Sequence, residues 1–152
     1  MVFCNKKSED QDFDKNGKLI VYNEDIYALL WINNKKLDVT VIDTFCINQK
    51  ARAQKDIQMG KLIYYGFHPR EFKKMTTILN RFGIETKEHL SRSVIFPGFD
   101  PYCYQNEMYD EIKRKFGDNF IDSIFRICQK EFILDNPTVD YIEEGVDLRK
   151  LY

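Results

Sequence analysis

The strongest periodic pattern in the chain lies between residues 104 and 134 and predicts two consecutive amphipathic helices. Apolar residues recur every three or four positions on both sides of Gly117, a residue that favours the positive φ of a helix C-terminus. Asp118 is then the predicted N-cap of the second helix. Each helix has an apolar face to bury, so the pair is expected to cover a core. The apolar positions are Met108, Tyr109, Ile112, Phe116, Ile121, Ile124, Phe125, Cys128 and Phe132.

Strands are predicted where apolar and polar residues alternate. Residues 18–23, 37–47 and 56–67 have this pattern, and residues 92–97 are a further candidate. The clearest case is 37–47, in which Asp43 is the one charge on the apolar face. The polar stretch that follows it fits a connection or a helical turn, so a hairpin with a longer loop is expected.

Helices are predicted before and after these strands. Asn23 is suited to capping a short helix, although the apolar run 26–32 fits a helix or a strand. The stretch 69–82 opens with a proline and is followed by Gly83, as is typical of a helix. The fold class is therefore α+β, a small and mainly antiparallel sheet with three to four helices packed on it.

Composition is typical of a globular protein. The chain has 152 residues, of which 43% are hydrophobic and 31% charged, so a single domain at 18–152 is expected after a flexible, polar tether at 1–17. No apolar run approaches 18 residues, so no transmembrane segment is predicted. The net charge is −1, but residues 49–92 are basic and residues 100–148 are acidic. This asymmetry fits either two solvated surfaces or one surface that faces a charged partner.

A calcium loop is one interpretation of the segment D-F-D-K-N-G-K-L. Asp12, Asp14 and Asn16 alternate as oxygen ligands would, and Gly17 allows the sharp turn. The twelfth loop position is Asn23, where such loops have a bidentate glutamate. The competing interpretation is a β-hairpin that turns at residues 15–18. No other cofactor is predicted.

The four cysteines are far apart and form no C-x-x-C pair, so a structural zinc site is not expected. Cys46 and Cys103 are compatible with a disulfide in an oxidising compartment. A small hydrolase is an alternative, with Cys46 beside His68 or Cys103 beside His89 as nucleophile and base. No local catalytic signature surrounds any of these residues, so an enzyme is the less favoured hypothesis.

Nucleic-acid binding is a second alternative, because the basic segment 49–92 alternates cationic and aromatic side chains. A helix with a charged outer face explains the same pattern. The residues concerned are Lys50, Arg52, Lys55, Lys61, Arg70, Lys73, Lys74 and Arg81, with Tyr64, Tyr65 and Phe67 for stacking.

Aromatic and acidic side chains interleave between residues 98 and 111, which is typical of a protein-binding patch for a basic partner. An alternative is that some of these aromatics fill the core and the others line a loop. The predicted partner-binding residues are Phe99, Asp100, Tyr102, Tyr104, Glu107, Asp110 and Glu111.

Two stretches resemble known families. Cys4, followed by N-K-K-S-E-D-Q-D, resembles the start of a mature bacterial lipoprotein with a charged tether. V-T-V-I-D-T-F-C-I-N at 39–48, D-I-Q-M-G at 56–60 and the helix at 69–82 resemble the strand–hairpin–strand–helix unit of TonB C-terminal-like domains. The first resemblance implies a lipid anchor at Cys4 and a place in the cell envelope, on the periplasmic side, rather than in the cytoplasm. Some small envelope lipoproteins are immunity proteins.

The sequence therefore favours a non-enzymatic binding protein over an enzyme. We expect an envelope-associated protein of the immunity or inhibitor type that docks a protein partner, with the hydrolase and the nucleic-acid-binding module as alternatives.

Overall fold

The computed structural model describes residues 11–152, which fall into two compact units. The first unit contains residues 11–51 and 92–103, and the second contains residues 52–91 and 104–152. The first ten residues of the predicted tether, and with them the predicted lipid-anchor position Cys4, lie outside the described residues.

The first unit is built on a strand–helix–strand motif. Strand β1 (Ile20–Val21) leads into helix α1 (Glu24–Asn33), and strand β2 (Thr40–Val41) returns parallel to β1. The predicted cap is confirmed, because the Asn23 side chain accepts hydrogen bonds from the first-turn backbone of α1. Val21, Tyr27 and Phe99 form the centre of this unit's core.

A second strand–helix–strand motif forms the centre of the second unit. Helix α2 (Thr44–Gln58) leads to strand β3 (Leu62–Gly66), which is followed by helix α3 (Pro69–Arg81) and strand β4 (Ile84–Glu88). β3 and β4 pair in parallel from Leu62↔Ile84 to Gly66↔Glu88. Pro69 lies in the first turn of α3, and Gly83 follows the helix at φ 77°, as predicted.

The predicted helical pair is present as α4 (Cys103–Phe116) and α5 (Phe120–Asp135). The chain then forms a short antiparallel hairpin from β5 (Ile142–Glu143) and β6 (Val146–Asp147), and ends in the 3-10 turn η1 (Leu148–Leu151). Apolar residues of α2, β3, α3, β4, α4 and α5 share one core. Its buried members are Ala53, Leu62, Ile63, Tyr64, Met75, Leu79, Ile84, Tyr104, Met108, Ile112, Ile121, Ile124 and Cys128.

The α+β class is confirmed, but the prediction of a mainly antiparallel sheet is wrong for the described residues. Five helices are accompanied by three two-stranded sheets, of which two are parallel. The reason is that a helix lies between β1 and β2 and another between β3 and β4. A helical crossover returns the chain to the end of the sheet where the first strand began, which makes the pair parallel.

The predicted strand 37–47 and its hairpin are also corrected, because α2 begins at Thr44. The Asp43 carboxylate accepts a hydrogen bond from the backbone N–H of Cys46 at 3.0 Å, as an N-cap does. Residues 92–97 form no strand, and the predicted cap Asp118 precedes the observed N-cap, Asn119. Within residues 11–152, no helix is both long enough and apolar enough to cross a membrane.

Candidate functional site

An open groove of about 330 Å³ lies in the second unit, between the last turns of α2 and the middle of α4. Glu107, Asp110 and Glu111 of α4 line it, because their spacing of three and four residues places them on one side of a helix. Met108 and Ile112 lie on a different side and are fully buried in the core. The structure thus brings together three of the acidic residues predicted for partner binding, and we call the site the acidic groove.

The α2 wall of the acidic groove was not predicted as part of a site. It consists of Gln54, Ile57 and Gln58. The same three-and-four spacing appears in the sequence, but it becomes informative only once residues 44–58 are recognised as a helix. Two amides, an apolar side chain and several carboxylates suit a lysine or arginine side chain, which has an apolar stem and a cationic end.

The negative charge of the groove is concentrated on Glu107 and Asp110. Arg114, which also lines the groove, donates from Nε to Glu111 Oε2 at 2.8 Å and from Nη2 to Glu111 Oε1. This hydrogen-bonded pairing holds the pKa of the Glu111 carboxyl below its usual value. Asp110 makes only a longer contact, 3.6 Å to Lys113 Nζ, on the helix surface. Three carboxylates against one guanidinium leave the lining with a net charge of −2.

Two of the predicted aromatic partner-binding residues belong to the cores of the two units. Phe99 is 8% exposed and contacts Tyr27 with ring centroids 5.7 Å apart in the first unit. Tyr104 is 6% exposed in the second unit, and its hydroxyl donates to Asp56 Oδ2 at 2.6 Å. The pKa of the Tyr104 hydroxyl is raised, mainly because the side chain is buried and secondly because of this hydrogen bond. Neither ring offers a free face to a partner.

The remaining predicted residues, Asp100 and Tyr102, lie in a hydrogen-bonded turn of the first unit. The backbone N–H of Asp100 donates to Asp43 Oδ2 at 2.7 Å, and the Tyr102 hydroxyl accepts from the backbone N–H of Arg92 at 2.8 Å. Asp100 also lines a polar cavity of about 260 Å³ in this unit. Arg92 and Glu24, which form a bidentate ion pair, also line this cavity. This turn therefore serves the packing of the first unit.

The cysteines proposed as nucleophiles are joined to each other. Cys46, in the first turn of α2, forms a disulfide with Cys103, the first residue of α4, and both lie in the first unit. Cys128 is fully buried, and burial raises the pKa of its thiol to about 11. Among the described cysteines, none is an exposed thiol beside a base.

Both histidines lie in the second unit, near the carboxyl ends of β3 and β4. His89 stacks on Phe67 with ring centroids 4.3 Å apart, and its Nδ1 is 2.6 Å from Gln105 Oε1. His68 packs against Phe125 at 4.2 Å. Their observed contacts are thus with aromatic rings and an amide.

Several members of the basic segment contact the protein itself. The guanidinium of Arg52 lies 4.3 Å from the Tyr104 ring centroid, and that of Arg70 lies 3.9 Å from the Tyr141 ring centroid. Tyr64 is buried in the core of the second unit. These side chains contribute to packing as cation–π pairs and core atoms.

The segment proposed as a calcium loop forms a hairpin turn. Asp14 Oδ1 accepts hydrogen bonds from the backbone N–H groups of Asn16 and Lys18, and Asp14 Oδ2 accepts one from the Thr40 hydroxyl. These bonds lower the pKa of Asp14. Asp12 accepts a hydrogen bond from the Tyr22 hydroxyl at 2.7 Å. Within residues 11–152, no group of three or more His, Cys, Asp or Glu side chains is close enough to hold a metal ion.

The comparisons with known proteins give no relative for this chain: no family model matches it, and no significant match was found among the curated proteins or among the solved structures.

Proposed function

We propose that the protein is a non-enzymatic binding protein that docks a basic protein partner in the acidic groove. The observation that carries the proposal is that Glu107, Asp110 and Glu111 line one open groove with an amide-bearing wall. Within the described chain Glu107 makes no ion pair, and the ion pair of Asp110 with Lys113 is long, at 3.6 Å. Charge of this kind accelerates encounter with a cationic partner and discriminates against anionic ones.

The disulfide supports an oxidising compartment. Cys46 and Cys103 are 57 positions apart and form a disulfide, and disulfides are common in oxidising compartments and rare in a reducing cytoplasm. This favours the cell envelope over a reducing cytoplasm; the lipid anchor at Cys4 is proposed only on the resemblance to envelope lipoproteins. An immunity- or inhibitor-type protein needs a docking surface and no catalytic set. Among the described cysteines, Cys46 and Cys103 are bonded to each other and Cys128 is buried.

Photo-crosslinking in the producing cells tests the proposal. A photoreactive amino acid replaces Gln58, which is exposed on the wall of the groove, and in a second protein it replaces Lys130, which is exposed on α5. We expect a crosslinked adduct with a basic protein from position 58 and none from position 130. The yield of the adduct should fall as ionic strength rises, because salt screens the exposed charges that hold the partner in place before crosslinking.

The control variants remove equal charge from different surfaces. Glu107→Gln with Asp110→Asn should abolish the adduct, whereas Glu85→Gln with Glu88→Gln, exposed on β4, should leave it unchanged. Circular dichroism verifies that both proteins are folded. An adduct that survives the groove substitutions, or that forms equally from both crosslinking positions, would refute the acidic groove as the docking site.

A further inference from the structure

Both walls of the acidic groove are helices, and the residues that line it repeat once per helical turn. On α2 they are Gln54, Ile57 and Gln58, and on α4 they run from Glu107 to Arg114 at spacings of three and four. The stretch from Glu107 to Arg114 corresponds to about 10 Å of groove, since an α-helix rises about 1.5 Å per residue. The groove therefore has the length of about two turns of a helix.

The backbone of both walls is already hydrogen-bonded, so the acidic groove offers a partner side-chain contacts. Its α4 residues lie inside that helix, and the last carbonyls of α2 accept from the backbone N–H groups of Met59, Gly60 and Lys61. An extended partner segment gains its affinity from backbone hydrogen bonds to an open strand edge, which helical walls do not provide. A helix bonds its own backbone internally and presents side chains to a groove. The acidic groove therefore fits a helix better than a strand.

The charges of the acidic groove set the number and spacing of the cations that such a helix presents. Glu107 makes no ion pair within the described chain, and Asp110 makes only its contact of 3.6 Å with Lys113. Glu111, in contrast, accepts both hydrogen bonds of Arg114. Two carboxylates one turn apart are thus available to a partner. A helix complements them with cations at positions i and i+3 or i+4.

We infer that the partner docks an amphipathic α-helix in the acidic groove, with two arginine or lysine side chains one turn apart. One cation pairs with Glu107 and the other with Asp110, while their aliphatic stems lie on Ile57, which is half-buried. The side chain of Arg114 is 72% exposed one turn beyond Asp110, so it repels a third cation on the next turn and limits the number to two. The inference rests on the proposed function and assigns a structural class to the partner.

Binding of synthetic peptides to the full 152-residue chain tests the inference. The probes are dye-labelled, alanine-based peptides of about 16 residues, a length at which such peptides form helices in water. One has arginines at positions i and i+4, an isomer has them at i and i+2, and a third has the i and i+4 arginines with a proline between them. All three carry the same charge. By fluorescence anisotropy at low salt, we expect the first to bind about tenfold more tightly than the other two, because only it presents both cations on one side of a helix.

Variants of the acidic groove separate this inference from the proposed function. Glu107→Gln with Asp110→Asn should remove the preference for the first peptide, and Glu85→Gln with Glu88→Gln, on β4, should retain it. If the parent binds the three peptides equally and the groove substitutions weaken all of them, the groove docks cations but not a helix. That result would overturn the inference and leave the proposed function standing. If no peptide binds the parent, or if the groove substitutions change nothing, both are refuted.

The limit of two cations has its own test. A third arginine at position i+7 should add little to the affinity for the parent. It should raise the affinity for Arg114→Gln about fivefold, because Glu111 is then free to pair with it. Lys115→Gln removes the same charge from an exposed part of α4 outside the groove, and there the third arginine should again add little. Equal effects of the third arginine on the two variants would overturn the limit.

Discussion

At the residue scale, Gly98 combines a positive φ with a close approach to a neighbouring side chain. Its φ is +86°, and a Cβ built on it would lie 2.9 Å from the Val41 Cβ of β2. A side chain here meets both the unfavourable left-handed backbone and a contact with a strand that has little freedom to move. The glycine therefore allows the turn before α4 to approach β2 within the first unit.

We predict that Gly98→Ala lowers the free energy of unfolding of the first unit by about 2 to 5 kcal/mol, the sum of the backbone and packing penalties. The matched control is Gly17→Ala, since Gly17 has φ +79° and no atom within 4 Å of a built Cβ. It should cost only the backbone share, about 1 kcal/mol. Urea unfolding monitored by Trp31 fluorescence measures both. Equal losses in the two variants would show that the contact with Val41 is unimportant.

Asp43 shows what single residues in the sequence do and do not reveal. As the one charge on an otherwise apolar face it fits poorly in a strand, and its carboxylate instead caps α2 and accepts a hydrogen bond from Asp100 N. Asp and Asn are strong N-cap residues, so the start of α2 was accessible from sequence. The bond to Asp100, 57 positions away, was not, because it depends on tertiary structure.

At the scale of elements, the helices with a clear apolar stripe were predictable and the strands were less so. α3, α4 and α5 follow from periodicity, capping residues and glycines, which are local signals. β1 and β2 have two residues each, and their parallel pairing depends on α1. The acidic side of the groove followed from α4 alone, whereas its second wall depended on recognising α2.

The Cys46–Cys103 disulfide joins the first turn of α2 to the first residue of α4, and we predict that it stabilises the first unit by about 4 kcal/mol. This value is the loop-closure entropy that a bridge over 57 positions removes from the unfolded chain. Urea unfolding of the parent should therefore shift to lower midpoints in dithiothreitol. Cys46→Ser with Cys103→Ser should reproduce that shift, and dithiothreitol should then have no further effect. A parent midpoint that does not respond to reduction would contradict the prediction.

Iodoacetamide labelling of the oxidised native protein gives a complementary readout for the same bridge. Alkylation of Cys46 or Cys103 before reduction would contradict the disulfide and would favour the hydrolase hypothesis, because a reactive thiol requires an accessible thiolate. Cys128 should react only after unfolding, because it is fully buried and its thiol pKa is raised to about 11.

At the scale of the whole molecule, the described chain combines a disulfide-bonded unit with a unit that is held by a larger apolar core and a buried polar network. In that network the Tyr141 hydroxyl donates to Glu71 Oε1 at 2.5 Å and accepts from Gln129 Nε2 at 3.1 Å. The network connects the chain after α5 to the first turn of α3. Because all three side chains are buried, each hydrogen bond replaces one to water that folding removed.

Tyrosine burial predicts how stability depends on pH. Burial and the hydrogen bond to Glu71 raise the pKa of Tyr141 to about 12, and burial raises that of Tyr64 to about 12. An unfolded tyrosine titrates near 10, so the native state holds these protons more tightly. The free energy of unfolding that these two protonated tyrosines contribute is fully present below pH 10 and is lost as the pH rises from 10 to 12. We expect a steep fall in the free energy of unfolding over that interval.

Tyr141→Phe isolates one share of this pH dependence. It should lower the free energy of unfolding at pH 8 by about 1 to 3 kcal/mol, because the buried Glu71 carboxylate loses a donor. Between pH 8 and 11.5 the variant should lose about 2 kcal/mol less than the parent, since one raised tyrosine pKa is gone. Tyr152→Phe, at a 49% exposed residue, is the matched control and should follow the parent. Urea midpoints at the two pH values measure all three proteins. If Tyr141→Phe and the parent lose the same free energy of unfolding between these pH values, the pKa of Tyr141 is not raised by folding.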